Sequence, residues 1–245
     1  MSRYGLLVIG VVAYLLFFAT FLYLVGFVGD FFVPRTIDFG PGAPAPFAAI
    51  VDVALILLFG VQHSVMARPG FKARWTRIVP PPLERGAYVT AASLVLIVLM
   101  ALWRPLPAPL WTVAAPAAVT ILWMAFALGW AMVLLSTFLI NHFELFGLHQ
   151  LWRYARDVPT PEAHFVQPFF YRWVRHPLYL GFLIAFWATP AMTVGHALFA
   201  AGMTAYILIA IRYEERDLIA AIGAPYRAYR QRVGMLLPGL GRARE

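Results

Sequence analysis

The stretch RHPLYLGFLIAFWATPAMTVGHALFAAGMTAYILIAIRYEE, residues 175–215, decides how this chain is read. It opens on Arg175-His176-Pro177-Leu178-Tyr179-Leu180-Gly181, runs through two apolar segments and closes on Arg212-Tyr213-Glu214-Glu215. Polar groups at both ends of an apolar hairpin point to a membrane enzyme, because ionisable residues beside a membrane bundle are costly to keep and are functional candidates by default. The His176-Pro177 step marks a helix start: proline suits the first helical position and pushes the preceding residue out of the α region. The free amides of that helix end suit an anion such as a carboxylate, and Gly181 leaves space for a ligand or a neighbouring helix. The plain alternative is a helix start with interfacial Arg and Tyr anchors. Glu214 and Glu215 have the same two readings, a solvated helix end or acceptors for ribose hydroxyls and a counter-charge for a cationic ligand.

Outside the hairpin the chain is equally apolar. It has 62% hydrophobic and 12% charged residues, where a soluble domain carries roughly 25% charged residues. Apolar runs extend from Tyr4 to Gly29, Phe47 to Met66, Ala87 to Trp103, Trp111 to Ile140, Leu178 to Met192 and His196 to Ile211. Most approach or exceed the roughly 20 residues that cross a bilayer as helix. The expectation is an all-α polytopic membrane protein with about six transmembrane helices, the last two a short hairpin that is either spanning or re-entrant. The first run is too long for a signal-peptide core and is read as a retained helix.

Of the 19 Lys and Arg, a six-helix arrangement puts Arg35 and Arg104 on one side and the other 17 on the opposite side. The positive-inside rule then places both termini in the cytoplasm. A net charge of +8 held in loops beside the spans fits anionic lipid headgroups rather than nucleic acid. There is no cysteine, which excludes disulfides, thiolate metal sites and a cysteine nucleophile. The six histidines are scattered without ligand spacing, so no metal is expected. Pro41, Gly42, Pro44 and Pro46 suit a short ordered turn outside the membrane, and Pro80-Pro81-Pro82 separates one segment from the helix opening at Glu84-Arg85.

With this parity, Gln62, His63, Ser64 and Arg68, Glu84 and Arg85, Asn141, His142 and Glu144, His176 and Tyr179, and Arg212, Glu214 and Glu215 share the cytoplasmic level. A single polar chamber there is expected. His196 falls at the opposite level.

The run from Arg175 to Gly181, followed by Glu214-Glu215, Leu218, Gly223, Tyr226, Tyr229, Val233 and Pro238, resembles the C-terminal signature of the isoprenylcysteine carboxyl methyltransferase superfamily of integral membrane enzymes. The front of the chain is different. Gln62-His63-Ser64-Val65-Met66-Ala67-Arg68, Glu84-Arg85-Gly86-Ala87-Tyr88 and Asn141-His142-Phe143-Glu144-Leu145-Phe146-Gly147-Leu148 resemble the methanethiol S-methyltransferases, a bacterial NnrU-like branch. The resemblance implies one membrane methyltransferase domain over residues 1–245, with a cofactor-binding C-terminal region at 165–238. It also implies S-adenosylmethionine as cofactor, methanethiol as substrate, dimethyl sulfide as product, and a bacterial inner membrane location with the active site facing the cytoplasm. On the matching motif positions, His176, Tyr179, Gly181, Glu214 and Glu215 would bind the cofactor. The segment with Val166, Gln167 and Tyr171 would add backbone contacts.

Methyl transfer from a sulfonium needs alignment and a deprotonated sulfur. A small thiol is no more acidic than free cysteine, with a pKa of about 8.5, so thiolate is scarce at neutral pH. His63 and His142 are the candidate bases, each with the alternative of a simply hydrogen-bonded interfacial histidine. Arg85 and Arg212 are the candidate electrostatic stabilisers of a thiolate. The expected partners are a small volatile thiol and membrane lipids, with no obligate protein partner. Two rivals remain: methylation of another lipophilic acceptor, such as a prenylcysteine carboxylate, a lipid amine or a larger thiol, and a non-enzymatic NnrU-like membrane protein.

Overall fold

The structure is a computed structural model that describes residues 2–159 and 165–243. Helices dominate it. The first half of the chain forms α1 (Arg3–Gly29), α2 (Ala45–Ala67), α3 (Pro69–Trp75) and α4 (Glu84–Leu102). Then follow α5 (Pro116–Ile140), α6 (His142–Leu145), α7 (Leu148–Arg156), α8 (Pro177–Trp187), α9 (Val194–Ile222) and α10 (Ala224–Arg232). Two short strands, β1 (Pro109–Thr112) and β2 (Ala191–Thr193), pair as the one small sheet among the described residues. Five helices are long and apolar enough to cross a membrane: α1, α2, α4 with the 3-10 turn before it, α5 and α9. Helix α8 is apolar but shorter. The chain is an integral membrane protein.

The boundaries follow local chemistry. Ser2 caps α1, its hydroxyl accepting the Gly5 N–H at 3.1 Å. Proline occupies the first turn of α2, α3, α5, α8 and α10, where its missing N–H costs nothing. His176 is the residue before α8, in a non-helical conformation, as the His176-Pro177 step predicts. One expectation needs correction. The last helix is not short: α9 continues past Ile211, through Arg212-Tyr213-Glu214-Glu215, to Ile222. Hydropathy ends where the apolar run ends, whereas Arg, Glu and Leu keep helix propensity going.

The chain divides into two compact units. One holds residues 1–111, 142–161 and 192–199; the other holds 112–141, 162–191 and 200–245.

In the first unit α4 packs against both α1 and α2, and α7 lies along α1. One end of this bundle is closed by the loop after α1. Ile37 is fully buried and its N–H reaches the Phe27 carbonyl at 2.9 Å, while the Trp103 indole N–H donates to the Ile37 carbonyl at 3.0 Å. Phe27, Trp103 and Phe199 meet edge to face beneath it. Asp52, buried in α2, accepts the Arg104 N–H at 2.9 Å. The loop after α1 is therefore pinned at Ile37 by specific bonds. His196 lies at this end, buried, its N–H on the Thr193 hydroxyl at 3.0 Å.

In the second unit α5 and α8 run in close contact. Gly129 and Gly181 make that approach possible: a Cβ on Gly181 would stand 2.7 Å from the Gly129 carbonyl oxygen and 2.9 Å from the Val133 nitrogen. Of the two roles open to Gly181, room for a ligand or for a helix, the backbone fills the second. Trp130 packs edge to face on Phe182 and Phe186 across the same seam.

Replacing Gly181 with Val should force these helices apart and cost about 1–3 kcal/mol, the usual penalty of overpacking. Thermal unfolding of the detergent-purified variant checks this; an unchanged midpoint would show that the seam can open freely.

Candidate active site

The second unit is organised around a carboxylate. Glu215, on α9, is 6% exposed. Arg175 Nε donates to its Oε1 at 2.6 Å, and the His176 Nε2 lies 3.1 Å from the same oxygen. Arg230 Nε stands 2.9 Å from Oε2 as an ion pair whose N–H is not aligned for a hydrogen bond. Arg175 is itself 4% exposed. Its remaining guanidinium N–H groups reach the carbonyls of Arg230, at 3.2 Å, of Gly241, at 3.0 Å, and of Val233. The Arg175 and His176 amides continue the pattern onto the Gly234 carbonyl at 2.8 Å and the Met235 carbonyl at 3.2 Å. One guanidinium thus ties the start of α8 to α9, α10 and the segment after α10.

Glu214 turns elsewhere. The Tyr179 hydroxyl donates to its Oε2 at 2.8 Å, and both residues keep part of their surface open. Below α10 a small apolar cluster forms from Tyr226, Tyr229 and Val233, with Phe165, Leu218, Ile219 and Ile222 against it. Tyr229 donates to the Tyr171 carbonyl at 2.5 Å. Burial pushes its phenol up to about 12, opposed by the Arg175 charge, so it stays a neutral donor. Val166 is exposed, and the Gln167 carbonyl accepts from Arg172 Nε at 3.4 Å. In the segment expected to offer backbone contacts, the carbonyls of Gln167, Pro168, Phe170 and Tyr171 are therefore already engaged by protein donors. A cavity of about 300 Å³ opens beside Glu215, lined by Arg212, Glu215, Arg216, Ile219 and Arg230. Its α9 residues recur at helical spacings of three and four, which puts them on one face.

The remaining candidates lie in the first unit. The His63 Nε2 and the Tyr88 hydroxyl share a hydrogen bond of 2.7 Å. The Arg85 guanidinium stands 5.2 Å from the centre of the Tyr88 ring, and Arg85 Nε donates to the Leu145 carbonyl at 2.6 Å. His63 keeps part of its surface open. His142 differs. It is 3% exposed, bonded through Nε2 to the Tyr14 hydroxyl at 2.9 Å and ringed by Phe143 and Phe146. Burial lowers its pKa from the ordinary histidine value. Both candidate bases thus have Nε2 bonded to a tyrosine; His63 keeps part of its surface open although its Nδ1 is buried, whereas His142 is walled in by aromatic rings. Among the described residues no cluster of three or more His, Cys, Asp or Glu could hold a metal.

Sequence reasoning passed over Arg175, Arg230, Tyr88 and Tyr14. Arg175 and Tyr88 sit inside the quoted motifs, but their burial and long-range partners leave no local mark.

The model of the Isoprenylcysteine carboxyl methyltransferase (ICMT) family matches residues 130–220, which include α8 and Glu214-Glu215. Over 97% of its length the chain is 55% identical to "Methanethiol S-methyltransferase" of Mycobacterium tuberculosis, covering 98% of that protein. It belongs to the methanethiol S-methyltransferase family. Methanethiol S-methyltransferase 1 of Bradyrhizobium diazoefficiens is 52% identical, with 94% of this chain and 80% of that protein covered. A Pseudomonas methanethiol S-methyltransferase is 51% identical, with 92% and 86% covered. No solved structure matches. As a member of the methanethiol S-methyltransferase family the chain is a methyltransferase.

Two expectations follow for this methyltransferase. Glu215→Ala leaves Arg175 buried without its counter-charge and should cost about 3–5 kcal/mol. Glu214→Gln, which keeps an acceptor for Tyr179 at a partly open site, should cost far less. Paired thermal melts test this, and equal losses would contradict it. His142 is held neutral in the folded chain, with a pKa below the unfolded value of about 6.5. Its contribution is full above that value and is lost as pH falls through the lower folded pKa. The melting temperature should drop on acidification from pH 7, and His142→Gln should flatten the drop; an identical pH dependence in both proteins would remove His142 as its source.

Proposed function

We propose that this protein transfers the methyl group of S-adenosylmethionine to methanethiol, giving dimethyl sulfide, at the cytoplasmic side of a bacterial inner membrane. The observation that carries the reading is the near full-length identity to proteins named for that reaction, combined with the polar cradle of the second unit. The donor groups there suit the cofactor. Arg212, Arg216 and Arg230 line a cavity in which guanidinium groups would hold a carboxylate. Glu214, with Tyr179 beside it, would accept from hydroxyl or ammonium groups. His176 and Glu215, locked to one another, would shape the wall rather than change partners. Bound there, the cofactor supplies a methyl group on a positively charged sulfur.

The chain's own tasks are to place the thiol, exclude water and remove one proton. We assign the proton to His63, which is partly exposed and stands beside Tyr88 and Arg85, where His142 is enclosed by aromatic rings. The thiol S–H bond breaks, the proton goes to the imidazole, and the sulfur electron pair forms the new S–CH3 bond as the sulfonium–CH3 bond breaks. The products are dimethyl sulfide and S-adenosylhomocysteine, and the imidazolium later returns its proton to water. Arg85 would favour the thiolate electrostatically. Methyl transfer draws on positioning more than on covalent chemistry.

Purified protein incubated with S-adenosylmethionine and methanethiol should release dimethyl sulfide, read by headspace gas chromatography. Parallel incubations with a prenylcysteine and with membrane lipid should stay unmethylated. Methylation of either in place of the thiol would move the assignment to that acceptor.

A further inference from the structure

The pair formed by His63 and Tyr88 belongs to a longer chain of contacts. Tyr88 sits one helical turn after Arg85 on α4, and α4 packs directly on α2, which carries His63. The Tyr88 hydroxyl reaches the His63 Nε2 at 2.7 Å, and the two rings lie 5.0 Å apart. Phe59, one turn earlier on α2, covers the His63 ring at 5.2 Å. The Tyr88 ring is pinned in turn by the Arg85 guanidinium at 5.2 Å. Arg85 is anchored by its 2.6 Å bond to the Leu145 carbonyl at the end of α6. The corner after α6 is held close by Gly147, at φ +89°, where a Cβ would stand 2.9 Å from the Gly86 nitrogen. The contacts therefore run from the α6 corner through Arg85 and Tyr88 to one imidazole nitrogen. Tyr88 is 8% exposed, so its hydroxyl has little water to exchange with.

We infer that Tyr88 is a positioning residue for His63, fixing through its hydroxyl the rotamer of the imidazole and which ring nitrogen carries the proton. This rests on the reading of His63 as the group that takes the thiol proton. An imidazole accepts a proton only through an unprotonated nitrogen aimed at the donor, and the partner of the other atoms on the ring sets that choice. Tyr88 is suited to the task because a phenol stays neutral at working pH and both donates and accepts. The charged and titratable groups at the end of α4 beside His63 are Glu84, Arg85 and Tyr88. The short helix α3, also packed on α2, carries Lys72 and Arg74 and no acid. Glu84 opens α4 one turn before Tyr88, and the bond to the His63 Nε2 is made by the Tyr88 hydroxyl.

The test is Tyr88→Phe, which keeps the ring under Arg85 and removes only the hydroxyl. With His63 as a general base, kcat at pH 7 should fall about 10- to 100-fold, while KM for methanethiol and the affinity for S-adenosylmethionine stay within about twofold. At pH 9.5 solution thiolate becomes abundant, and the variant should come within about threefold of the parent. A merely structural role would lower the rate by one factor at every pH, and that result overturns the proposal. So does a variant as active as the parent at pH 7. A second readout does not depend on the substrate. In 15N-histidine-labelled protein, the His63 ring nitrogens should report one hydrogen-bonded tautomer in the parent and a tautomer mixture in Tyr88→Phe. Unchanged His63 signals overturn the positioning role even if methanethiol is not the acceptor. A parent that makes no dimethyl sulfide but shows the tautomer change would sink the function assignment and leave the positioning role standing.

Discussion

A buried carboxylate with three cationic or imidazole partners holds the second unit of this protein together. Glu215 sits among Arg175, His176 and Arg230, partners drawn from two separate parts of the chain, the start of α8 and α10. A charge removed from water is tolerated only when its partners are close and its hydrogen-bonding capacity is used. That constraint dictates the surroundings. The helix carrying Glu215 has to continue beyond its apolar run, α8 has to begin at the residue after His176, and the segment after α10 has to fold back so that its carbonyls take the spare donors of Arg175. The arrangement specifies one geometry more than it adds raw stability, because a hydrophobic replacement of the whole group would be nearly neutral in energy.

Once Glu215 is committed inward, its neighbours are freed for other work. Glu214, one residue earlier and about 100° around the helix, meets Tyr179 at a partly open position. Arg212, Arg216 and Ile219 share the face that lines the cavity. Two adjacent glutamates thus divide into a structural and an accessible carboxylate. The same economy appears in the first unit with two histidines. His142 is enclosed by aromatic rings and bonded to Tyr14, whereas His63 is partly exposed and bonded to Tyr88 beside Arg85.

Much of this was legible from residue types. Proline at 177 announced the start of α8, the proline triplet at 80–82 preceded α4, and apolar length picked out the five long helices, while the sixth expected run, Leu178 to Met192, yields the shorter α8. The end of α9 was not legible by hydropathy, which measures what a bilayer accepts and is silent on where a helix stops. The motif around His176 and Glu214-Glu215 singled out residues that the structure brings together in the second unit. It did not show that Glu215 is consumed by the protein, because that depends on Arg230 and on the fold-back after Val233, contacts 15 or more residues away in sequence. Tyr14 with His142 is a more extreme case, a pair separated by 128 positions. Gly181 was legible as a close approach, but its partner, the α5 backbone at Gly129 and Val133, needed three dimensions.

The most direct measurement of the central claim, that the Arg175–Glu215 knot shapes the proposed cofactor site of the second unit, is a calorimetric titration of S-adenosylhomocysteine into the purified protein and into Arg175→Lys. Lysine keeps the charge but cannot reach the carboxylate and three carbonyls at once. The account predicts one binding site in the parent and an affinity at least about tenfold weaker in the variant, with helical content retained, the loss of one or more charge-assisted hydrogen bonds. Equal affinity in the two proteins would contradict it.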